Sequence, residues 1–250
     1  MRFWPPVAAL LVLLAGCELM VQQEWISATL LPPPSQIWSA LLEFKTEVLK
    51  ACKETAQSAL LGYLLAAVLG FTLALAFSLS AVLKRAVLPF AIFFQTVPII
   101  AIAPLLIIYL GFGLQTVVVC AAIVAIFPVL ANTLIGLESI AQEELDLFRI
   151  YSASRLQTFF KLRLPRAYVS IYSGLKVAAG LSVIGTVAGE FVTGSGLGAL
   201  IDSGRTQQRI DLVFAALVLL SLIGLSLIGL LKLFNFTVVR IRPLNISLKD

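Results

Sequence analysis

Two ionisable side chains, Lys176 and Glu190, are the only charges in the run 167–191. A charge in hydrocarbon is costly unless it is paired or wet, so each should face a path or the interior of a bundle. They stand fourteen residues apart, about 21 Å along a helix at 1.5 Å per residue, and cannot pair within one. Glu190 adjoins a glycine-rich stretch, and two readings of it stay open. It is either a group facing a transport path or a carboxylate satisfying backbone donors at a helix end. For Lys176 the simpler reading is snorkelling to the membrane surface. Gln95, Thr96 and Asn132 are polar enough to line a path or bridge helices. Pro98, Pro104 and Pro128 free backbone carbonyls and bend helices, which suits a gate or simply packing. Gln95, Thr96, Pro98, Asn132 and Glu190 are the candidate path residues.

No other chemistry presents itself. The three cysteines, Cys17, Cys52 and Cys120, are scattered, and there is no histidine. That gives no disulfide framework, no metal-ligand spacing and no imidazole proton shuttle. There is no G-x-x-x-x-G-K-[ST], G-x-S-x-G or H-E-x-x-H, so we expect no catalytic residue, no metal and no enzyme activity in this chain. Leu14-Ala15-Gly16-Cys17 resembles a lipoprotein cleavage box. Small residues near the outer end of a helix are the preferred reading, because cleavage would remove the first span.

The elements that position these residues follow from composition. The chain has 250 residues, 60% hydrophobic and 12% charged, with mean hydropathy +1.03. One soluble core cannot hide that excess, so the surrounding solvent is lipid. Uncharged runs place six spans near 3–20, 56–83, 89–110, 114–134, 167–191 and 212–231, with the long central run divided at Gly111-Phe112-Gly113. They form one all-α polytopic domain, 1–250, with no repeat. With the N-terminus inside, twelve basic residues fall on the cytoplasmic side, Arg2, Arg242 and Lys249 among them, and five outside. The net charge of +5 then reads as positive-inside loops rather than nucleic-acid binding, and both termini are cytoplasmic. Three prolines at 32–34 start a new element, with Ser35 as its cap. Gln36–Lys53 reads as an amphipathic outer helix or an early extension of span two.

The longest inner loop, 138–166, has its own grammar. Ser139-Ile-Ala-Gln142 fits a capping box, followed by acids suited to a helix N-terminus, and predicts a helix from about Ile140 to Tyr151. Ser154-Arg-Leu-Gln157 is a second box, and Pro165 should end that helix at Leu164. Leu156, Phe159 and Phe160 share a face ringed by Arg155, Lys161 and Arg163. Local physics leaves two readings equal: a docking knob for a groove, or an amphipathic helix lying on anionic lipid.

The loop resembles the cytoplasmic EAA loop of ABC-importer permeases: E-A-A, three residues, Gly, nine residues, Ile, one residue, Leu-Pro. The slots hold Asp146-Leu147-Phe148, Ser152, Leu162 and Leu164-Pro165. Spacing matches throughout, while Asp replaces Glu, Leu and Phe replace the alanines, Ser replaces Gly, and Leu replaces Ile. The segments 30–43, 95–113 and 187–201 are similar to the nitrate/sulfonate/taurine branch of that family.

The resemblance implies a type I ABC importer permease fold in a bacterial cytoplasmic (inner) membrane. It implies a homodimer of permeases, an external binding protein that delivers solute, and two ATPase subunits that hold ATP and Mg. This chain would hold no cofactor. Ala153–Leu164 would be the coupling helix, with Asp146, Ser152, Ala153, Ser154, Arg155, Leu156, Phe159, Phe160, Lys161, Leu164 and Pro165 as coupling residues. The expected cargo is a small anion, with a pyrimidine precursor or a riboflavin-like compound as alternative. An ion-coupled carrier is the main rival, and it would show more intramembrane charges and an inverted repeat.

Overall fold

The computed structural model describes residues 4–241, so Arg2, Phe3, Arg242 and Lys249 of the expectations above lie outside the described residues. The described chain runs α1 (Trp4–Gln22), α2 (Pro34–Glu43), α3 (Lys45–Leu79), α4 (Ala81–Thr96), α5 (Ile99–Leu110), α6 (Leu114–Glu138), α7 (Gln142–Ile150), α8 (Arg155–Thr158), a π-turn (Phe159–Arg163), α9 (Leu164–Thr193), α10 (Gly196–Thr206) and α11 (Ile210–Ile241). Four of these, α3, α6, α9 with its preceding turn, and α11, are long and apolar enough to cross a membrane. The apolar part of α1, Val7–Gln22, reaches only about 24 Å, short of the ~30 Å hydrocarbon core.

The third expected span, 89–110, is not one straight crossing. It is the pair α4 and α5, bent by 104°. Pro98 lacks the N–H that would continue the ladder and pushes Val97 to extended geometry, ψ 125°, so the helix stops and restarts. Gln36–Lys53 also divides. α2 ends at Glu43, and Lys45–Lys53 are the first turns of a 35-residue α3. Ser35 does not cap α2. Its N–H and hydroxyl donate to Glu18 at 3.1 and 2.7 Å, tying α2 to α1.

Helix α6 is the centre of the bundle, clasped by α3 and α9. Lipid tails are as apolar as leucine, so burial alone does not drive helices together, and close packing must. The sequence meets this with small residues. Gly62, Ala66, Gly70 and Ala74 recur every fourth residue on α3, and all are buried. A Cβ at Gly62 would lie 2.3 Å from the Ala121 Cβ, and one at Gly185 would lie 2.8 Å from the Ala121 Cα and the Cys120 carbonyl. The core is accordingly rich in alanine, including Ala59, Ala122, Ala125, Ala178 and Ala179, while many large aliphatics, Leu64, Val68, Leu222 and Leu225 among them, are exposed.

Ion pairs fasten both ends. At the end that carries the loop 138–166, Lys84 of α4 meets Glu138 of α6 at 2.6 Å. At the opposite end Arg209 spans Asp211 and Glu43, both at 2.9 Å, and stacks on the Phe44 ring at 5.0 Å, joining α2 to α11. These hydrogen bonds hold the Asp211 carboxyl below its ordinary range and push Arg209 up.

Candidate functional site

The loop 138–166 folds as one short helix, α7, followed by α8 and the π-turn that lead into α9. The first capping box does not form. Ser139 is still the C-terminal boundary of α6, and its hydroxyl donates to the Gly136 carbonyl, so α7 begins only at Gln142. Gln142 instead donates to Asp146, which also accepts from Arg149 at 2.9 Å. The second box forms in both directions: the Gln157 N–H donates to the Ser154 hydroxyl at 3.2 Å, and the Ser154 N–H to the Gln157 amide oxygen at 2.8 Å.

Between the helices Ser152 takes φ 52°, the left-handed turn for which glycine is the natural residue. The backbone therefore makes the glycine turn with a serine in place. Pro165 does not end the second helix. The Leu164 N–H reaches back to Phe159 to close a π-turn, and Pro165 follows in the first turn of α9, where its missing N–H costs little. Arg155–Thr193 runs on as one helix of 39 residues. Arg166 pairs with Glu144, bracing α7 against the root of α9.

Side-chain directions refine the knob. Phe159 and Phe160 meet edge to face, centroids 5.1 Å apart, but they face different ways. Phe160 is 60% exposed and Leu156 71%, whereas Phe159 is half-buried and turned inward with Ala153 and Arg163. Leu147 and Ile150 of α7, and Tyr151 just after it, are also exposed. Leu147 stands in a slot of the loop pattern, but sequence reasoning missed Ile150 and Tyr151, although i, i+3, i+4 is the spacing that flagged the second helix. Lys161 and Gln157 border a groove between α7 and α8.

Gln95, Thr96 and Pro98 come together at the break between α4 and α5. There they border a cavity of about 310 Å³ with Phe94, Phe127 and Leu181, and no charged residue lines it. Thr96 donates its hydroxyl to the Phe93 carbonyl. Asn132 is not part of this lining. It lies further along α6, donating to the Pro128 carbonyl at 2.9 Å.

Glu190 is elsewhere again, nine residues beyond Leu181, about 13 Å along α9. It is 1% exposed. Its carboxylate accepts from the Thr55 hydroxyl at 2.7 Å and the Gly198 N–H at 2.9 Å. Thr55 in turn accepts from the Leu197 N–H, and Glu54 accepts from the Gly196 N–H. The first turn of α10 thus has its free donors satisfied by side chains of α3 and α9. Glycine is required at 196, where φ is +59° and a Cβ would sit 2.0 Å from a Glu190 oxygen. Glu54 and Thr55 carry no local motif, so their part was not legible. Lys176 is exposed.

Comparison with known proteins bears on this arrangement. Residues 66–240 match the family described as "binding-protein-dependent transport system inner membrane component". A probable ABC transporter permease protein of Haemophilus influenzae is 34% identical over 217 residues, 84% of this chain and 88% of that one. The riboflavin transport system permease protein of Chloroflexus aurantiacus is 35% identical over 159 residues, 63% of this chain and 59% of its own. The taurine transport system permease protein of Escherichia coli is 28% identical over 225 residues, 86% and 82%. Further relatives are named for formylaminopyrimidine, nitrate and aliphatic sulfonates. The solved MetNI methionine ABC transporter, inward facing, shares the fold with a TM-score of 0.64 at 20% identity, over 79% of this chain and 97% of that one.

Proposed function

Since the chain belongs to the binding-protein-dependent transport family of inner-membrane components and is a permease subunit of an ABC importer, we propose that two copies enclose a path for a small solute. An external binding protein delivers the solute. Separate ATPase subunits drive the path through residues 142–164, and both termini lie in the cytoplasm. The observation that carries this reading is the exposed apolar tip of the loop. Leu147 and Ile150 of α7, Tyr151 after it, and Leu156 and Phe160 of the second helix are exposed, and apolar side chains ringed by charge suit a protein groove. Arg155 and Lys161 steer the approach of acidic rims, and Ser152, Ala153 and Ser154 fix the angle between the helices. Asp146, Leu164 and Pro165 hold the two ends of the unit.

The break at Gln95-Thr96-Val97-Pro98 is the proposed gate, because a discontinuous span offers backbone groups to a passing solute. The proposed cargo is a nitrate-, sulfonate- or taurine-like anion. A heterocycle of the riboflavin or pyrimidine-precursor kind is the second reading, favoured by the uncharged lining of the break.

The test is reconstitution with cognate partners. Ile150→Ala with Phe160→Ala is expected to abolish ATPase co-purification, or to leave ATP hydrolysis without uptake. Full uptake with intact co-purification would overturn the coupling role. Competition of labelled taurine, nitrate and riboflavin for uptake separates the two cargo readings.

A further inference from the structure

Arg155, Thr158, Phe159 and Arg163 fall on one face of the second loop helix, opposite Leu156 and Phe160, and that face is turned back towards the spans. With Ser78 at the end of α3 and Arg149 at the end of α7 they enclose a pocket of about 470 Å³. Three arginines, Arg149, Arg155 and Arg163, border it, and no acidic residue lines it. Asp146 reaches only Arg149, at 2.9 Å. Among the described residues neither Arg155 nor Arg163 has an ion-pair partner, although Arg163 is half-buried. The hydroxyls of Ser78 and Thr158 already donate to the Leu75 and Ser154 carbonyls, so recognition rests on the arginines.

We infer that this pocket binds a phosphate-bearing anion, and that its natural occupant is the head group of an anionic phospholipid. Guanidinium forks match phosphate oxygens two at a time, and an anion there would supply the partner that Arg155 and Arg163 lack. Height in the membrane points to lipid. Leu79, at the rim, is 75% exposed and ends the apolar span α3, so the pocket opens where head groups lie and where basic pockets between spans collect them. The inference rests on the reading that this loop lies on the cytoplasmic side next to the ATPase. A bound head group there would splint the loop helix to the end of α3.

The test uses the chain purified with its ATPase partners in nanodiscs of phosphatidylcholine, with or without added phosphatidylglycerol. Native mass spectrometry and titration read lipid retention. The double variant Arg155→Gln, Arg163→Gln is expected to bind phosphatidylglycerol at least tenfold more weakly. Lys161→Gln, which removes the same charge from the other side of the helix, should leave binding unchanged. Arg155→Lys with Arg163→Lys should restore part of it and guards against a folding defect. Inorganic phosphate titrated separately distinguishes the sources: arginine-dependent competition at millimolar concentration identifies free phosphate, and its absence identifies the lipid. Wild-type binding by the double glutamine variant would overturn the proposal, as would equal weakening by Lys161→Gln. ATPase co-purification is scored in parallel. If the double variant sheds the ATPase while the ATPase-free chain retains lipid as before, the pocket belongs to protein docking and the proposal fails. The Ile150→Ala, Phe160→Ala variant, read for coupling, fails or holds independently of this site.

Discussion

Ser152 shows how much a single turn residue can be asked to do. A non-glycine residue in the left-handed region costs about 1 kcal/mol relative to glycine, and nothing in its hydrogen bonding within the described residues offsets that. Ser152→Gly should therefore stabilise the protein by about 1 kcal/mol, seen as a higher melting temperature in detergent, with transport retained. Glu190 sits at the other extreme, with each carboxylate oxygen already engaged. Glu190→Gln must turn an amide N–H₂ towards either a donor or the already committed Thr55 hydroxyl. It should cost about 1–3 kcal/mol and loosen α10, measurable as faster proteolysis between Thr193 and Thr206. Asp211 gives a pH signature. Its carboxyl is held low by Arg209, so the stability it contributes is complete above its ordinary value of 3.8 and is lost as pH falls below that. Melting temperatures compared across pH 3–6 should show an acid-sensitive component that Asp211→Asn lacks.

At the scale of elements, α6 depends on approach distances that admit no side chain. Gly185→Val would press a branched side chain into the backbone of Ala121 and Cys120. We expect about 1–3 kcal/mol of overpacking strain and a sharp drop in folded yield on size-exclusion chromatography. Much of this layer was legible beforehand. Long uncharged runs fix spans because hydrocarbon tolerates little else, and the Ser154–Gln157 box was readable because both its bonds are local. What was not legible depended on neighbours. Ser139 reads as a cap until α6 claims its hydroxyl, and Ser35 reads as a cap until Glu18 arrives from seventeen residues upstream. Pro165 reads as a terminator because a π-turn leaves no mark in the sequence. Pro98 was seen, but its 104° consequence was not, since the bend depends on the packing of α4 and α5 against α6. Glu54 and Thr55 meet the glycine turn from more than 130 residues away, which no spacing rule can reach.

For the whole molecule, the two ends differ in kind. One carries the arginine-rich loop and the Lys84–Glu138 pair, the other the Arg209 clamp and the glycine turn capped by Glu190. If the loop is cytoplasmic, Tyr151→Cys in a cysteine-free background should be labelled by an impermeant maleimide only in inside-out vesicles. Labelling of right-side-out cells would reverse the assigned topology. The unbroken run from Arg155 to Thr193 adds a mechanical consequence. At 1.5 Å per residue its length along the helix is about 58 Å, with its foot in the exposed loop and its head at Glu190. A tilt of only about 5° at the foot sweeps the head through about 5 Å, so a crank of this length needs no hinge along the way. Two glycines inserted after Arg166 should fold at both ends yet leave the far end deaf to the near one.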